Sequence, residues 1–141
     1  MRKLYGRKTS INVQKVSWTL SELGLAFDWI YKEDKPGGLE TPEYAALNPQ
    51  MRVPTLEDDG NLIRQSNVIV RYLAHTYSQG NLWPSDAGLA AEADYWMDWQ
   101  ASDNWRNVVA VFWNLVRVPP EERNDEEVAK GITALAQDFK F

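Results

Sequence analysis

The spacing of hydrophobic positions changes several times along the chain, and each change predicts an element. Residues 3–6 (Lys-Leu-Tyr-Gly) read as a short strand that stops at the polar loop Arg7, Lys8, Thr9, Ser10. Val13, Val16, Leu20 and Leu23 then recur at helical spacing, and Gly24 stands where a left-handed C-terminal cap is wanted. Ser10 or Asn12 is the candidate N-cap of that helix. The run 26–31 is aromatic and β-branched, and the turn-rich stretch 34–38 follows it, so a second strand is expected there. Thr41, Pro42 and Glu43 combine a capping hydroxyl, a first-turn proline and an early acid, a helix start that Asn48-Pro49 ends quickly. Strands at 53–57 and 62–64 flank Asp59-Gly60, a pair that favours a tight hairpin. Ser66 is then expected to cap a helix carrying Val68, Ile69, Tyr72 and Leu73 on one face.

Residues 1–77 therefore run β-α-β-α-β-β-α, the element order of an α/β, thioredoxin-like domain. A right-handed crossover pairs the first two strands in parallel, and the hairpin completes a four-stranded mixed sheet. Residues 78–85, with Gly80 and Pro84, read as a linker into 86–141, where helix takes over. Leu89, Ala93, Trp96, Trp105, Val108, Val109, Phe112 and Val116 keep a helical period up to Pro119-Pro120, which must stop it. Asn124 with Glu127 resembles a capping box that opens a last helix through Val128, Ile132, Leu135 and Phe139. Such helices cannot shield their own apolar faces. An incomplete all-α domain is expected here, leaning on the first domain, on another chain or on further residues.

Composition narrows the function. The chain has 141 residues, 44% of them hydrophobic and 25% charged, which is ordinary for a folded globular protein. Its net charge of −5 argues against nucleic acid and against an anionic membrane surface as partners. No cysteine is present, which excludes disulfides, thiolate metal sites and cysteine nucleophiles within this chain, and no metal is expected. The basic start Met1-Arg2-Lys3 is followed by no apolar signal core, and the longest apolar run, 108–113, is far too short to span a membrane. A cytoplasmic protein is the expectation.

Several short motifs stand in a fixed order: Tyr5-Gly6; Thr9-Ser10-Ile11-Asn12 with Lys15-Val16; Pro42-Glu43-Tyr44; Leu47-Asn48-Pro49; Val53-Pro54-Thr55-Leu56; Gln65-Ser66-Asn67; and Ile69 with Arg71-Tyr72-Leu73-Ala74. Each alone is weak. Together and at this spacing the chain resembles the glutathione S-transferases, of the bacterial kind that uses serine. The resemblance runs along essentially the whole chain, which lacks the last helices of the family and so reads as truncated in its helical domain.

The resemblance implies fold, ligand and roles. Glutathione is the implied co-substrate, its thiolate being conjugated to a hydrophobic electrophilic small molecule in a detoxification reaction, and a homodimer is the implied assembly. Ser10 is the implied activator through a hydrogen bond to sulfur, with Thr9 as its rival and Asn12 in support. Read without the resemblance, Ser10 is an ordinary N-cap. A free thiol has a pKa of about 8.5, and lowering it by about two units needs roughly 2.7 kcal/mol, within the means of a hydroxyl donor and a helix N-terminus. Val53-Pro54 is implied to be cis, exposing the Val53 main chain to pair with the cysteinyl part of glutathione; on sequence alone a trans proline opening an edge strand is the commoner arrangement.

Ser66 is implied to hold the γ-glutamyl carboxylate through its hydroxyl and amide, a role that coincides with capping. Gln65 replaces the family's commoner acid, so the ligand's ammonium meets a neutral partner and an acid from a second subunit, Asp98 or Asp103, is the candidate to assist. Arg52 and Gln50 are candidates for the glycyl carboxylate. His75 reads as a surface residue near a helix end, and Trp96, Trp99, Trp105 and Trp113 as packing residues, one or two of them touching the electrophile. The competing expectation is a non-catalytic module of the same fold that binds glutathione or serves protein association.

Overall fold

The computed structural model describes residues 1–32, 38–78 and 80–140. They form two compact units, Met1–Ala87 and Gly88–Phe141. Most of the turn-rich stretch expected at 34–38 lies outside the described residues.

The first unit is built on β1 (Arg2–Tyr5), α1 (Ile11–Glu22), β2 (Phe27–Ile30), α2 (Pro42–Leu47), β3 (Thr55–Asp58), β4 (Asn61–Arg64) and α3 (Ser66–Tyr77). The strands lie in the order β2-β1-β3-β4, with β1 parallel to β2 and antiparallel to β3. This is the thioredoxin-like mixed sheet expected from the element order. Asp58 pairs with Asn61, so Asp59 and Gly60 are the whole loop, and both take the positive φ that such a hairpin needs (47° and 82°).

One sheet face packs on α1 and α3. Leu4 and Leu56 meet Val13, Val16, Leu20, Ile69 and Leu73 there, all fully buried. These positions are the helical period read from the sequence, and burying each is worth about 1.5–3 kcal/mol. Val68 departs from the expected face, being 49% exposed, while Ala74 is buried instead. The other face carries Tyr5, which packs with Leu39 and the α2 residue Tyr44. Helix α1 stops as anticipated: Gly24 has φ 64°, Gly24 N–H donates to Ser21 C=O and Leu25 N–H to Leu20 C=O, a Schellman arrangement.

The third strand starts at Thr55 rather than at Val53. Proline has no N–H to give to a ladder, so pairing begins after Pro54. The expected cap of α3 is also displaced. Gln65, at φ 69°, is the residue before the helix, Ser66 is its first helical residue, and the Ser66 hydroxyl donates to Asn12 Oδ1 at 3.2 Å.

The second unit contains α4 (Ala87–Trp99, whose first residue belongs to the first unit), α5 (Trp105–Phe112) and α6 (Asp125–Asp138). Wider five-residue π segments, Gln100–Asn104 and Trp113–Arg117, follow α4 and α5, so the single helical period read across this region is interrupted twice. Each segment holds a buried asparagine that reaches α6: Asn104 donates to Asp138 at 3.1 Å, and Asn114 to Glu127 at 3.0 Å. Asn124 caps α6 by accepting from Glu127 N–H at 3.0 Å, but the return half of the capping box goes elsewhere, because Asn124 N–H donates to Asn114 Oδ1 at 3.0 Å. Of the four tryptophans expected to pack here, Trp99 lies edge-on to Phe139 and Trp96 edge-on to Trp99, whereas Trp113 is 57% exposed. His75, in the first unit, is an exposed residue whose ring lies tilted against Trp83, with centroids 4.7 Å apart.

Candidate functional site

The candidate residues gather where β1 ends, where α1 and α3 begin and where β3 is entered. Gly6 makes this approach possible. A Cβ built there falls 2.5 Å from Val13 Cγ2 and 3.3 Å from Val53 Cβ, so only glycine lets the strand end, α1 and the Val53 turn close together. Gly6 N–H donates to Ile30 C=O, and Gly6 C=O accepts from the Trp29 indole at 2.8 Å, which fixes the exit of β1.

The chain then turns into α1 through Thr9 and Ser10. Ser10 is the N-cap, with extended backbone (φ −82°, ψ 119°), and its C=O accepts from Val13 and Gln14 N–H. Its hydroxyl, however, makes no capping bond. The side chain that sequence statistics assign to capping is left available at the start of a helix, where aligned amides favour a negative group. Thr9, the rival, is exposed one position earlier, and Asn12 sits in the first turn holding Ser66.

The Val53-Pro54 peptide bond is cis, as the resemblance implies. Buried polar groups hold the segment from behind. Arg52 C=O accepts from the Tyr44 hydroxyl at 2.8 Å and from Asn48 Nδ2 at 2.8 Å, and both donors also bond Thr55 Oγ1, at 3.0 and 3.1 Å. Asn48 Oδ1 accepts from Gln50 N–H, and Met51 takes φ 50° to complete the turn. With Arg52 C=O drawn inward, the Val53 N–H and C=O make no hydrogen bond among the described residues. Arg52 itself is exposed.

On the α3 side, Gln65 Nε2 donates to Gln50 Oε1 at 3.1 Å, so the two glutamines proposed for different ends of the ligand touch each other. Lys15 Nζ donates to Asn67 Oδ1 at 2.6 Å, and burial lowers the pKa of this ammonium. The two tyrosines near the site are committed to other work. Burial, then the bond it donates to Glu57, pushes the Tyr5 hydroxyl up to about 12, and burial raises Tyr44 as well. Neither phenol is disposed to ionise. Asp98 and Asp103 are exposed residues of the second unit.

The structure thus brings Asn12 to Ser66 and Gln50 to Gln65, and closes Gly6 against Val53. Sequence reasoning counted Tyr44, Asn48, Thr55, Lys15 and Asn67 among the motifs that carry the resemblance but gave them no part in holding the site. Their bonds run between segments far apart or irregular in the chain, and polar contacts of that kind leave no spacing signal. Among the described residues no group of His, Cys, Asp or Glu is clustered to hold a metal, and no helix is long and apolar enough to cross a membrane.

Residues 4–81 match the family model for the N-terminal domain of glutathione S-transferase. The chain belongs to the glutathione S-transferase family. The glutathione S-transferase GstB of Escherichia coli is 39% identical over 130 residues, a match covering 91% of this chain and 62% of that protein. The family member spans, then, a little under two thirds of this relative. The theta class glutathione S-transferase of Xanthomonas axonopodis pv. citri, solved with glutathione bound, superposes with a TM-score of 0.89 at 38% identity over 96% of this chain and 65% of that one. The transcriptional regulator URE2 of Saccharomyces cerevisiae is 34% identical over 106 residues, covering 70% of this chain and 30% of that protein.

Proposed function

We propose that the first unit of this family member binds glutathione and activates its thiol for transfer to an electrophilic small molecule. The observation that carries the reading is the Ser10 hydroxyl, held at the N-terminus of α1 and not used to cap it. Likeness to a theta class enzyme solved with glutathione supports the same reading.

The groups take roles that follow from their chemistry. Ser10 Oγ–H donates to the glutathione sulfur, and the α1 N-terminus adds its dipole, so the S–H proton passes to water and the thiolate stays. Val53 N–H and C=O pair with the cysteinyl main chain as an added strand. Ser66, with the first amides of α3, receives the γ-glutamyl carboxylate, while Asn12 orients its hydroxyl. Arg52 and Gln50 serve the glycyl carboxylate. Gln65 presents an amide to the ammonium, and an acid of a second subunit completes that subsite in a homodimer. The thiolate then forms a C–S bond at the electrophilic carbon of an aryl halide as halide leaves with the bonding pair. No general base is needed.

The test is calorimetric titration with glutathione, with Ser66→Ala beside the wild type, followed by conjugation of a chlorodinitrobenzene by Ser10→Ala. Saturable binding that Ser66→Ala weakens at least tenfold supports the site. Ser10→Ala is expected to retain binding within about threefold and to lose about 10–100-fold in kcat near neutral pH, the effect of a thiol pKa returned by one to two units. A folded wild type without saturable binding overturns the reading. A second reading, a glutathione-binding module without turnover, is favoured by the likeness to a protein named a transcriptional regulator. It predicts binding with no conjugation to lose.

A further inference from the structure

Two side-chain bonds join the first half of α1 to the first turn of α3, which are far apart in sequence. Ser66 Oγ donates to Asn12 Oδ1 at 3.2 Å, and one step along both helices Lys15 Nζ donates to Asn67 Oδ1 at 2.6 Å. Asn12 and Lys15 are three apart on α1, the spacing that places them on one face. Ser66 and Asn67 are consecutive at the start of α3. The rungs differ in strength. The hydroxyl bond is long and neutral, whereas the ammonium bond is short and charge-assisted.

We propose that Lys15 and Asn67 are positioning residues, a strong clip that holds the first turn of α3 against α1 and thereby keeps the weaker Asn12–Ser66 bond, and the carboxylate-binding hydroxyl of Ser66, in place. The proposal rests on the role assigned above to Ser66. Three observations carry it. The residue before α3, Gln65, has left-handed backbone (φ 69°), and among the described residues its side chain makes no capping bond to α3, so the helix start is held from outside its own turn. Lys15 is half-buried, and burial lowers its pKa, so the chain spends desolvation to keep a cation here rather than an apolar side chain. Asn67 is also the residue next to Ser66 at the start of α3, so the anchor constrains the serine's own backbone.

A double-mutant cycle separates positioning from general support. Lys15→Met keeps the length and the apolar stem of the side chain while removing its donor and charge. Glutathione affinity is expected to fall about tenfold in Lys15→Met, and Lys15→Met added to Ser66→Ala should change affinity less than twofold further, because the effect passes through the serine. Losses that multiply in the double variant, or a single variant that binds like wild type, overturn the proposal. The clip is also tested without any ligand. Amide exchange at residues 66–69 should quicken at least fivefold in Lys15→Met and in Asn67→Ala, with residues 73–77 unchanged. Unchanged exchange at 66–69 overturns it whatever binds. A wild type that does not bind glutathione, but whose exchange responds as described, counts against the functional reading alone.

Discussion

Tyr5 and Glu57 share a hydrogen bond of 2.9 Å in which the phenol donates to the carboxylate, and Lys3 reaches the same carboxylate at 3.2 Å. The pair moves two titrations apart. The Tyr5 bond, then Lys3, holds the Glu57 carboxyl below its ordinary range, while burial and the same bond push the Tyr5 hydroxyl up to about 12. The signs differ in consequence. A depressed carboxyl contributes stability that is present above its unfolded pKa, about 4.3, and lost as pH falls through the lower folded value. A raised phenol contributes stability present below its unfolded pKa, about 10, and lost as pH rises toward the folded value. Stability is therefore expected to be flat between about pH 5 and 10 on account of this pair and to decline on both sides. Denaturant titrations of Tyr5→Phe across pH check it: the variant should lose part of the decline above pH 10 and part of the acid decline. An alkaline limb identical to wild type would show that another group sets it.

At the scale of elements, the entry to β3 is held by its neighbours rather than by its own residues. Tyr44 comes from α2 and Asn48 from its end, and together they take Arg52 C=O and Thr55 Oγ1 into a buried network. Tyr44→Phe removes a hydroxyl that makes two bonds and is expected to cost about 1–3 kcal/mol, read as a lower denaturant midpoint. Asn48→Ala removes the bonds to Arg52 C=O and Thr55 Oγ1 and leaves Gln50 N–H without its acceptor, and should cost more than Tyr44→Phe. If the network positions Val53 for a ligand, both variants weaken glutathione binding although neither residue touches it. Unchanged affinity in a folded Tyr44→Phe would limit the network to stability. This layer explains what was legible in the sequence. Val13, Val16 and Leu20, the Asp59-Gly60 hairpin and Gly24 are local patterns, and the structure repeats them. Ser10, Val53-Pro54 and Ser66 came through resemblance, because nothing local separates a functional serine from a capping one. What no pattern gave is long-range and polar: the left-handed Gln65 that frees Ser66 to reach Asn12, the Asn114 that replaces half of a capping box, and the ammonium of Lys15 on Asn67.

Over the whole molecule, the two units are built on different principles. Among the described residues every buried hydrophobic one belongs to Met1–Ala87, whereas the buried ones of Gly88–Phe141 are Asn104, Asn114 and Gly131. Charge divides along the same line. The first unit has ten basic and ten acidic residues, the second five and ten, so the net −5 falls wholly on the second. The second unit therefore rests on polar bonds to α6 and on half-buried apolar contacts, and it repels itself. The two units should not unfold together. Trp96, Trp99, Trp105 and Trp113 lie in the second unit and only Trp18, Trp29 and Trp83 in the first, so fluorescence weights the second while the sheet signal of circular dichroism reports the first. The fluorescence midpoint in urea is expected to come first. Added salt should raise that midpoint by screening like charges, over a Debye length of about 10 Å at 0.1 M, and leave the later one nearly fixed. Asn114→Ala, which removes bonds to Ala110, Glu127 and Asn124, should lower the first midpoint alone. Coincident transitions at every salt concentration would mean that the chain unfolds as one cooperative body, and the division of the core would then not be a division of stability.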